Sequence, residues 1–477
     1  MNNILKYTKG ALIAAAALAG LSLASCEDEP DKYEVAGGSP VVKYVRCLSS
    51  EIHRWDDAEG TQYTDGQLVT SASPRSTLCI IGENLRSVKQ VWFNDLQAVL
   101  TTSYITDNTL IVNVPKDVPG SVTDKIYFIT SSKDTVAYDF HVVIPKPFVT
   151  TMTNEYASVG EEVTLYGNYY IDDAAVPLTV NFTGASGLVQ AKDLKIAEDY
   201  SSITFKIPAG AQEGPVFVTS VYGTTEAPFQ YLDKRGMLFT FDDGRINNGW
   251  KVPKADGTGI RTDNTALDGN FLQFGNGEVE FRNSWDDNNL EFDYWPGSWQ
   301  NPETFSDPAT MRLYDVTDFS NWETLALKFE ICIPESNAWI GSTEKPFDGA
   351  PMQIIFSSTD MVTNTDAGAV DMAGNILPGG NNTFFHDANN PFPRCYYRPW
   401  ATAAEGKFHT GGKWQTVVLP IKANWIYDYD GNLVNPDLKP TSFAGFQIMF
   451  WSNAGAPTTV CSPIIKIDNI RVVPFNQ

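Results

Sequence analysis

The chain has 477 residues and a formal net charge of −23 at pH 7. That charge repels phosphate backbones and disfavours sulfated or polyuronic glycans, so it argues against nucleic acid and favours a neutral partner. The length is typical of about three domains. Helical periodicity is scarce after residue 25, while β-branched and aromatic residues are plentiful and 36 Gly and 28 Pro punctuate the turns, so an all-β chain with several cores is predicted.

Residues 1–25 form a predicted lipoprotein signal peptide. Two lysines precede an apolar run at 11–23 that is too short to span a bilayer, and Leu-Ala-Ser then precedes Cys26, the predicted lipidation site. Residues 26–38 are polar and predict a tether. The acidic run Glu27-Asp28-Glu29 resembles the tag of surface-exposed lipoproteins in Bacteroidota-type outer membranes. The resemblance implies a protein lipid-anchored in the outer membrane and facing the cell exterior.

Five cysteines follow Cys26, and export exposes them to an oxidising environment. Because five is an odd number, at least one thiol is expected to be unpaired. Within the N-terminal part of the chain, Cys47 with Cys79 is the pair to consider for a disulfide.

Two stretches of short alternating strands, 39–145 and 146–233, predict tandem sandwiches with turns every ten or so residues. The second repeats the rhythm of the first: 163–168 matches 80–84, 180–183 matches 91–94, and 205–208 matches 112–115. Both stretches resemble immunoglobulin-like IPT/TIG domains. Such modules commonly act as spacers.

Residues 234–477 predict a larger antiparallel jelly roll, whose first and last strands often pair. Its opening F-x-F-D-D-G at 239–244, the G-K-W-Q-T-V-x-L-P strand at 412–420 and the closing I-D-N-I-R-V at 467–472 resemble jelly-roll carbohydrate-binding modules. The whole chain resembles surface glycan-binding lipoproteins encoded beside outer-membrane glycan importers, of the kind that bind xyloglucan or mixed-linkage β-glucan. The resemblance implies a neutral polysaccharide ligand, an importer and its lipoprotein partner as protein partners, and no cofactor.

Ten of the twelve tryptophans lie beyond residue 234, many beside Pro, Gly and Asp, which form loops. An indole has a flat apolar face that suits the C–H face of a pyranose, and nearby amides and carboxylates can bind the sugar hydroxyls. The predicted glycan-binding residues are Trp285, Trp295, Trp299, Trp339, Tyr396, Tyr397, Trp400, Asp286, Asp287, Asn288, Gln300 and Arg398.

The remaining tryptophans of this part are assigned differently. Trp322, Trp414 and Trp451 lie in or beside regular strands and are expected in the core, and Trp250 is expected to be structural. Trp425 is left open between the two roles. Because 39–233 carries no aromatic loop cluster, residues 234–477 are predicted to fold and bind glycan without it.

Two other functions stay open at this point. A surface glycoside hydrolase needs two carboxylates across a cleft, but 57 acidic residues always supply some pair, and no catalytic motif is recognisable. A protein-binding adhesin would show aromatic patches without neighbouring amides and carboxylates. Asp242, Asp243 and Asp468 could hold a structural Ca²⁺, but acidic turn residues that bind backbone amides are favoured, and no metal is predicted.

Overall fold

A computed structural model of the chain describes residues 38–49, 66–243, 245, 259–281, 290–294, 296, 308–309, 311–345, 348–357, 363–365, 368–370, 393–428, 430–450 and 458–475. The predicted signal peptide and Cys26 lie outside these residues. The chain divides into two compact units, Met1–Pro145 and Lys146–Gln477. Within the described ranges, no helix has the length and apolar character needed to cross a membrane.

The first unit is a β-sandwich, the first sandwich. Its strands are β1 (Val41–Ser49), β2 (Leu68–Val69), β3 (Ser71–Ala72), β4 (Thr77–Glu83), β5 (Val88–Phe93), β6 (Leu96–Gln97), β7 (Thr109–Asn113), β8 (Lys125–Thr130), β9 (Thr135–Asp139) and β10 (His141–Val142). The sheets have the orders β2-β1-β4-β7 and β6-β5-β8-β9, and β3 and β10 form a short parallel pair. Alternate residues of the two sheets point inward and share one hydrophobic core.

The second unit begins with another β-sandwich, the second sandwich. Its strands are β11 (Phe148–Met152), β12 (Glu162–Asn168), β13 (Thr179–Gly184), β14 (Gly187–Gln190), β15 (Lys195–Ile196), β16 (Ser202–Lys206), β17 (Ala211–Ser220) and β18 (Gly223–Tyr231). The sheets have the orders β11-β12-β16-β15 and β14-β13-β17-β18 around a separate core. The three matched sequence segments fall on β4 and β12, on β5 and β13, and on β7 and β16, which occupy equivalent places in the two sandwiches. The predicted repeat is therefore confirmed.

A glycine accounts for part of the repeated motif. Gly82 on β4 and Gly167 on β12 each lie opposite a register irregularity of the neighbouring strand. A Cβ on Gly82 would overlap the carbonyl oxygen of Val41, and a Cβ on Gly167 would overlap that of Phe148. Both sandwiches therefore have a glycine at this strand position, because a backbone carbonyl of the neighbouring strand approaches it closely.

The second unit continues into a jelly roll. Its strands are β19 (Met237–Phe239), β20 (Gly259–Arg261), β21 (Phe271–Phe274), β22 (Glu291–Tyr294), β23 (Leu325–Cys332), β24 (Trp339–Ile340), β25 (Met352–Ser357), β26 (Thr363–Thr365), β27 (Gly368–Val370), β28 (Arg394–Tyr397), β29 (Lys407–Phe408), β30 (Gln415–Pro420), β31 (Gly445–Phe450) and β32 (Ile465–Pro474), with short helices α1 (Leu313–Val316) and α2 (Ile421–Asn424). The all-β fold is confirmed.

Two sheets of the jelly roll enclose its core. The large sheet has the order β20-β21-β32-β23-β30, with β19 also paired to β32, and the small sheet has the order β22-β31-β25-β28. The expected pairing of the first and last strands is therefore present, since β19 and β32 are antiparallel neighbours.

Cys47 and Cys79 cannot form a disulfide in this fold. Cys47 is paired across the sheet with Leu78, which is buried in the core, whereas Cys79 is paired with the exposed Arg46. Because successive residues of a strand point to opposite faces, the two thiols lie on opposite sides of the sheet. The pairing considered from the sequence is wrong, and no disulfide joins the cysteines of the described part.

Candidate functional site

The two outer faces of the jelly roll differ in what covers them. On the large sheet, the side chains of Lys328 and Arg471 bind the Glu155 carboxylate of the second sandwich, at 2.7 and 2.9 Å. The chain itself therefore occupies that face. The outer face of the small sheet is the other face to consider.

The outer face of the small sheet carries polar side chains on all four strands. Alternate residues of these strands, such as Phe292, Ile354 and Ile448, point into the core, so the residues between them point outward. The outward polar residues, here called the polar floor, are Glu291 and Asp293 on β22, Gln353 on β25, Arg394 on β28 and Gln447 on β31.

The polar floor is enclosed and internally bonded. All five side chains are buried, and Arg394 Nη1 donates to Gln353 Oε1 at 2.9 Å. Asp293 lies directly opposite Gln447 in the register of β22 and β31. Packed strands therefore hold the orientation of these groups before any ligand binds.

Gln447 is the member of the floor whose amide remains unused. Its side chain is 0% exposed, and neither its Nε2 nor its Oε1 has a hydrogen-bond partner. Leaving a buried amide unpaired costs about 1–3 kcal/mol. A carboxamide both donates and accepts, as a sugar hydroxyl does, so this residue is suited to a neutral hydroxylated ligand.

An accessible rim of two side chains, Tyr427 and Arg398, lies beside β28. The ring of Tyr427 meets that of Tyr396 edge to face, with centroids 5.3 Å apart, and the Arg398 guanidinium lies 5.8 Å from the Tyr427 ring centre. The main chain of Tyr427 is paired with that of Arg394. Tyr427 and Arg398 are half-buried, so a fixed backbone presents an aromatic ring and a cation at the edge of the floor.

Two of the predicted binding residues are core residues instead. Trp339 and Trp400 are each 0% exposed, and their ring centroids are 4.8 Å apart. Trp339 Nε1 donates to the Ala350 carbonyl at 3.1 Å, and a Cβ on Gly341 would overlap the Trp400 indole. Their assignment to a binding platform is wrong because both rings fill the jelly-roll interior.

The other residues of the Tyr396–Arg398 run are divided between the two faces of the sheet. Tyr396 is on the floor side and Arg398 is in the rim, as a binding role requires. Tyr397 points the other way and meets Phe329 edge to face, with centroids 6.0 Å apart. Burial raises the pKa of its phenol, and its side chain packs against the core on the side of the sheet away from the floor.

Seven predicted binding residues lie outside the described residues: Trp285, Asp286, Asp287, Asn288, Trp295, Trp299 and Gln300. In the sequence they flank β22, an edge strand of the small sheet.

The tryptophans assigned to structural roles follow their expectation where they are described. Trp414 is buried and its Nε1 donates to the Thr265 carbonyl at 2.7 Å, and Trp322 packs against the main core. Trp425, left open from the sequence, is fully buried. Trp250 and Trp451 lie outside the described residues.

The acidic residues near the first and last strands bind backbone amides. Asp242 and Asp243 accept backbone N–H bonds at 2.6 and 2.9 Å, and Asp468 accepts one at 2.8 Å. Burial, with the nearby charge of Asp268, raises the pKa of Asp468 to about 10. No group of three or more His, Cys, Asp or Glu side chains suited to a metal ion occurs in the part of the chain that the structure describes.

Comparisons with known proteins point to one family. The family model for the surface glycan-binding protein B xyloglucan binding domain matches residues 231–474. The solved surface glycan-binding protein PbSGBP-B from Prevotella bryantii is 40% identical, with a TM-score of 0.67, over 92% of this chain and 99% of that one.

Two further relatives are more distant. An SGBP-B from a xyloglucan utilization locus of Bacteroides uniformis is 14% identical over 92% of this chain and 100% of that one, with a TM-score of 0.38. A curated IPT/TIG domain-containing protein of Bacteroides ovatus is 24% identical over 235 residues, which is 46% of this chain. The chain spans 44% of that relative's length.

Replacing a buried indole tests the corrected assignment. We expect Trp400→Ala to lower the free energy of unfolding by about 3–5 kcal/mol, because removing the buried indole leaves a cavity in the core. Urea unfolding followed by near-UV circular dichroism measures the loss. Tyr427→Ala, in the half-buried rim, is the control and should unfold close to wild type. A Trp400→Ala protein as stable as wild type would contradict the burial of this ring.

Proposed function

This chain belongs to the surface glycan-binding protein B family, and from that premise we propose that it captures a neutral plant-type polysaccharide on the outer face of the small sheet. β-Glucan and xyloglucan are the favoured ligands. The matched family is described by xyloglucan binding. Members bind glycan at the cell surface without catalysis, so the chain is a binding protein and not an enzyme.

The unused amide of Gln447 is the observation that carries the choice of face. A buried polar group without a hydrogen-bond partner calls for an explanation, and a ligand hydroxyl would supply both the donor and the acceptor that this amide lacks. The rim contributes the accessible ring of Tyr427, whose backbone is held by pairing with Arg394. A chain with a net charge of −23 also repels acidic glycans, which supports a neutral ligand.

The aromatic part of the site combines sequence and structure. We keep Tyr396 and Arg398, add Tyr427, and remove Trp339, Trp400 and Tyr397. Trp285, Trp295, Trp299, Asp286, Asp287, Asn288 and Gln300 remain proposed binding residues, because they adjoin β22 in the sequence.

The anchoring and the partners are also proposals. The lipobox before Cys26 supports a lipid anchor in the outer membrane that holds the protein on the cell exterior, and the family resemblance supports an outer-membrane importer and its lipoprotein partner as neighbours. We propose the organisation 1–25 signal, 26–38 tether, 39–145 and 146–233 Ig-like domains, and 234–477 glycan-binding jelly roll.

A near-isosteric change at Gln447 separates a ligand contact from a structural role. We expect Gln447→Met to leave the stability equal to or above that of wild type, because it removes an unpaired buried amide, while affinity falls about tenfold through a lost hydrogen bond. Calorimetry with xyloglucan and mixed-linkage β-glucan oligosaccharides, beside urea unfolding, measures both.

Gln273→Met provides the matched control. Gln273 is buried in the large sheet, and its Nε2 donates to the Gly275 carbonyl at 2.9 Å, so its replacement should lower stability and leave affinity unchanged. Unchanged affinity in the Gln447 variant would remove this face from the proposal.

Ring truncations test the aromatic contribution. Tyr427→Ala and Trp295→Ala should each weaken binding by about 1–3 kcal/mol if sugar stacking resembles base stacking, with a larger loss in the double variant. Tyr104→Ala, an exposed ring of the first sandwich, should have no effect. Overnight incubation of the wild type with polymer should release no new reducing ends, and their accumulation would favour a hydrolase.

The anchor predicts where the protein is found. Protease added to intact cells should digest the wild-type protein. The Cys26→Ala variant should no longer be found in the outer-membrane fraction, because the acylated residue is lost. Wild-type protein that becomes protease-sensitive only after lysis would contradict an exterior location.

A further inference from the structure

A buried charge cluster joins the second sandwich to the large sheet of the jelly roll. The cluster consists of Glu155 from the second sandwich with Lys328, Glu330 and Arg471 from β23 and β32. Glu155 Oε1 accepts from Lys328 Nζ at 2.7 Å, and Oε2 accepts from Arg471 Nη2 at 2.9 Å. Arg471 also donates two hydrogen bonds to the Glu330 carboxylate, from Nη1 to Oε2 at 2.8 Å and from Nη2 to Oε1 at 3.1 Å.

The positive and negative charges of the cluster are equal in number, and all four side chains are buried from solvent. Its two carboxylates and two cations are each at most 2% exposed. Burial lowers the pKa of Arg471, but the two glutamates outweigh burial and raise it, so Arg471 remains charged. Burial in turn raises the pKa of Glu330, against the opposing effect of Arg471.

Neutral groups close the interface around the cluster. Thr416 N–H donates to the Thr153 carbonyl at 2.9 Å, and Glu155 N–H donates to Thr416 Oγ1 at 2.8 Å. The Arg471 guanidinium lies 4.8 Å from the ring centre of Tyr156, and Lys328 Nζ lies 5.7 Å from that of Phe229. Backbone, charge and aromatic contacts therefore fix one relative arrangement of the two folds.

We infer that the second sandwich and the jelly roll form one folding unit, and that residues 146–477 unfold cooperatively through Glu155. Removing one partner of a buried ion pair leaves uncompensated charge. Loss of Glu155 would leave Lys328 and Arg471 facing Glu330 alone, so damage in one fold destabilises the other. The inference concerns folding and stands whether or not the ligand is the one proposed above.

Tryptophan fluorescence of the full chain tests the coupling. Residues 146–233 contain no tryptophan, whereas ten of the twelve lie after residue 234, so the signal reports mainly on the jelly roll while the substitution is made in the second sandwich. We expect Glu155→Leu to lower the urea midpoint of the fluorescence transition by on the order of 1 M. Glu155→Gln, which keeps a hydrogen-bonding group, should give a smaller shift.

Two further variants decide the interpretation. Glu162→Gln, which breaks an exposed pair with Lys195 in the same sandwich, should leave the midpoint unchanged. Glu155→Leu combined with Lys328→Met should recover part of the loss, because the buried pair is then replaced by apolar groups.

A fluorescence midpoint equal to wild type in both Glu155 variants, or no recovery in the double variant, would overturn the inference. Glycan affinity measured below the transition should stay at the wild-type value, which separates this failure from failure of the binding proposal.

Discussion

The buried charges of Glu155, Lys328, Glu330 and Arg471 determine which outer face of the jelly roll meets the second sandwich. A sandwich with two polar outer faces has two candidate sites, and in this chain one of them is filled by a neighbouring fold. The ions do not need to add much net stability for this purpose, since a buried pair often only offsets its own desolvation. What they fix is position, because the Glu155 carboxylate is held between Lys328 and Arg471.

This constraint changes the meaning of the Ig-like repeats. The two sandwiches have equivalent strands and the same glycine beside the same carbonyl, so their sequences predict equal roles as spacers. The loop after β11, however, carries Glu155 into the jelly roll and makes the second sandwich part of a larger unit. The carboxylate paired with Lys328 in the described residues comes from the second sandwich, which argues against the independent module predicted from the sequence.

The sequence predicted the strands and the repeat because alternation is a local signal. It could not separate binding rings from packed rings. Trp339 and Trp400 stand near Pro, Gly and charged residues, as loop residues do, yet a short strand and a 3-10 helix carry the two indoles into the interior, where Gly341 makes room for Trp400. The polar floor was missed for a related reason. Lys328 and Glu330 alternate with apolar residues just as Gln353 does, and only the three-dimensional arrangement shows that one set meets the second sandwich and the other does not.

The geometry of the floor also bears on chemistry. Glu291 and Asp293 are the acidic members, and they lie two residues apart on one face of β22, roughly 7 Å along the strand. Glycoside hydrolysis needs its two carboxylates on opposite sides of the scissile bond, whereas two acids of one strand approach a sugar from the same side. Both are enclosed, and the next strand places the amide of Gln447 beside Asp293. Among the described residues of the floor, the two acids therefore lie on one side of the sheet, which is not the two-sided placement that glycoside hydrolysis requires.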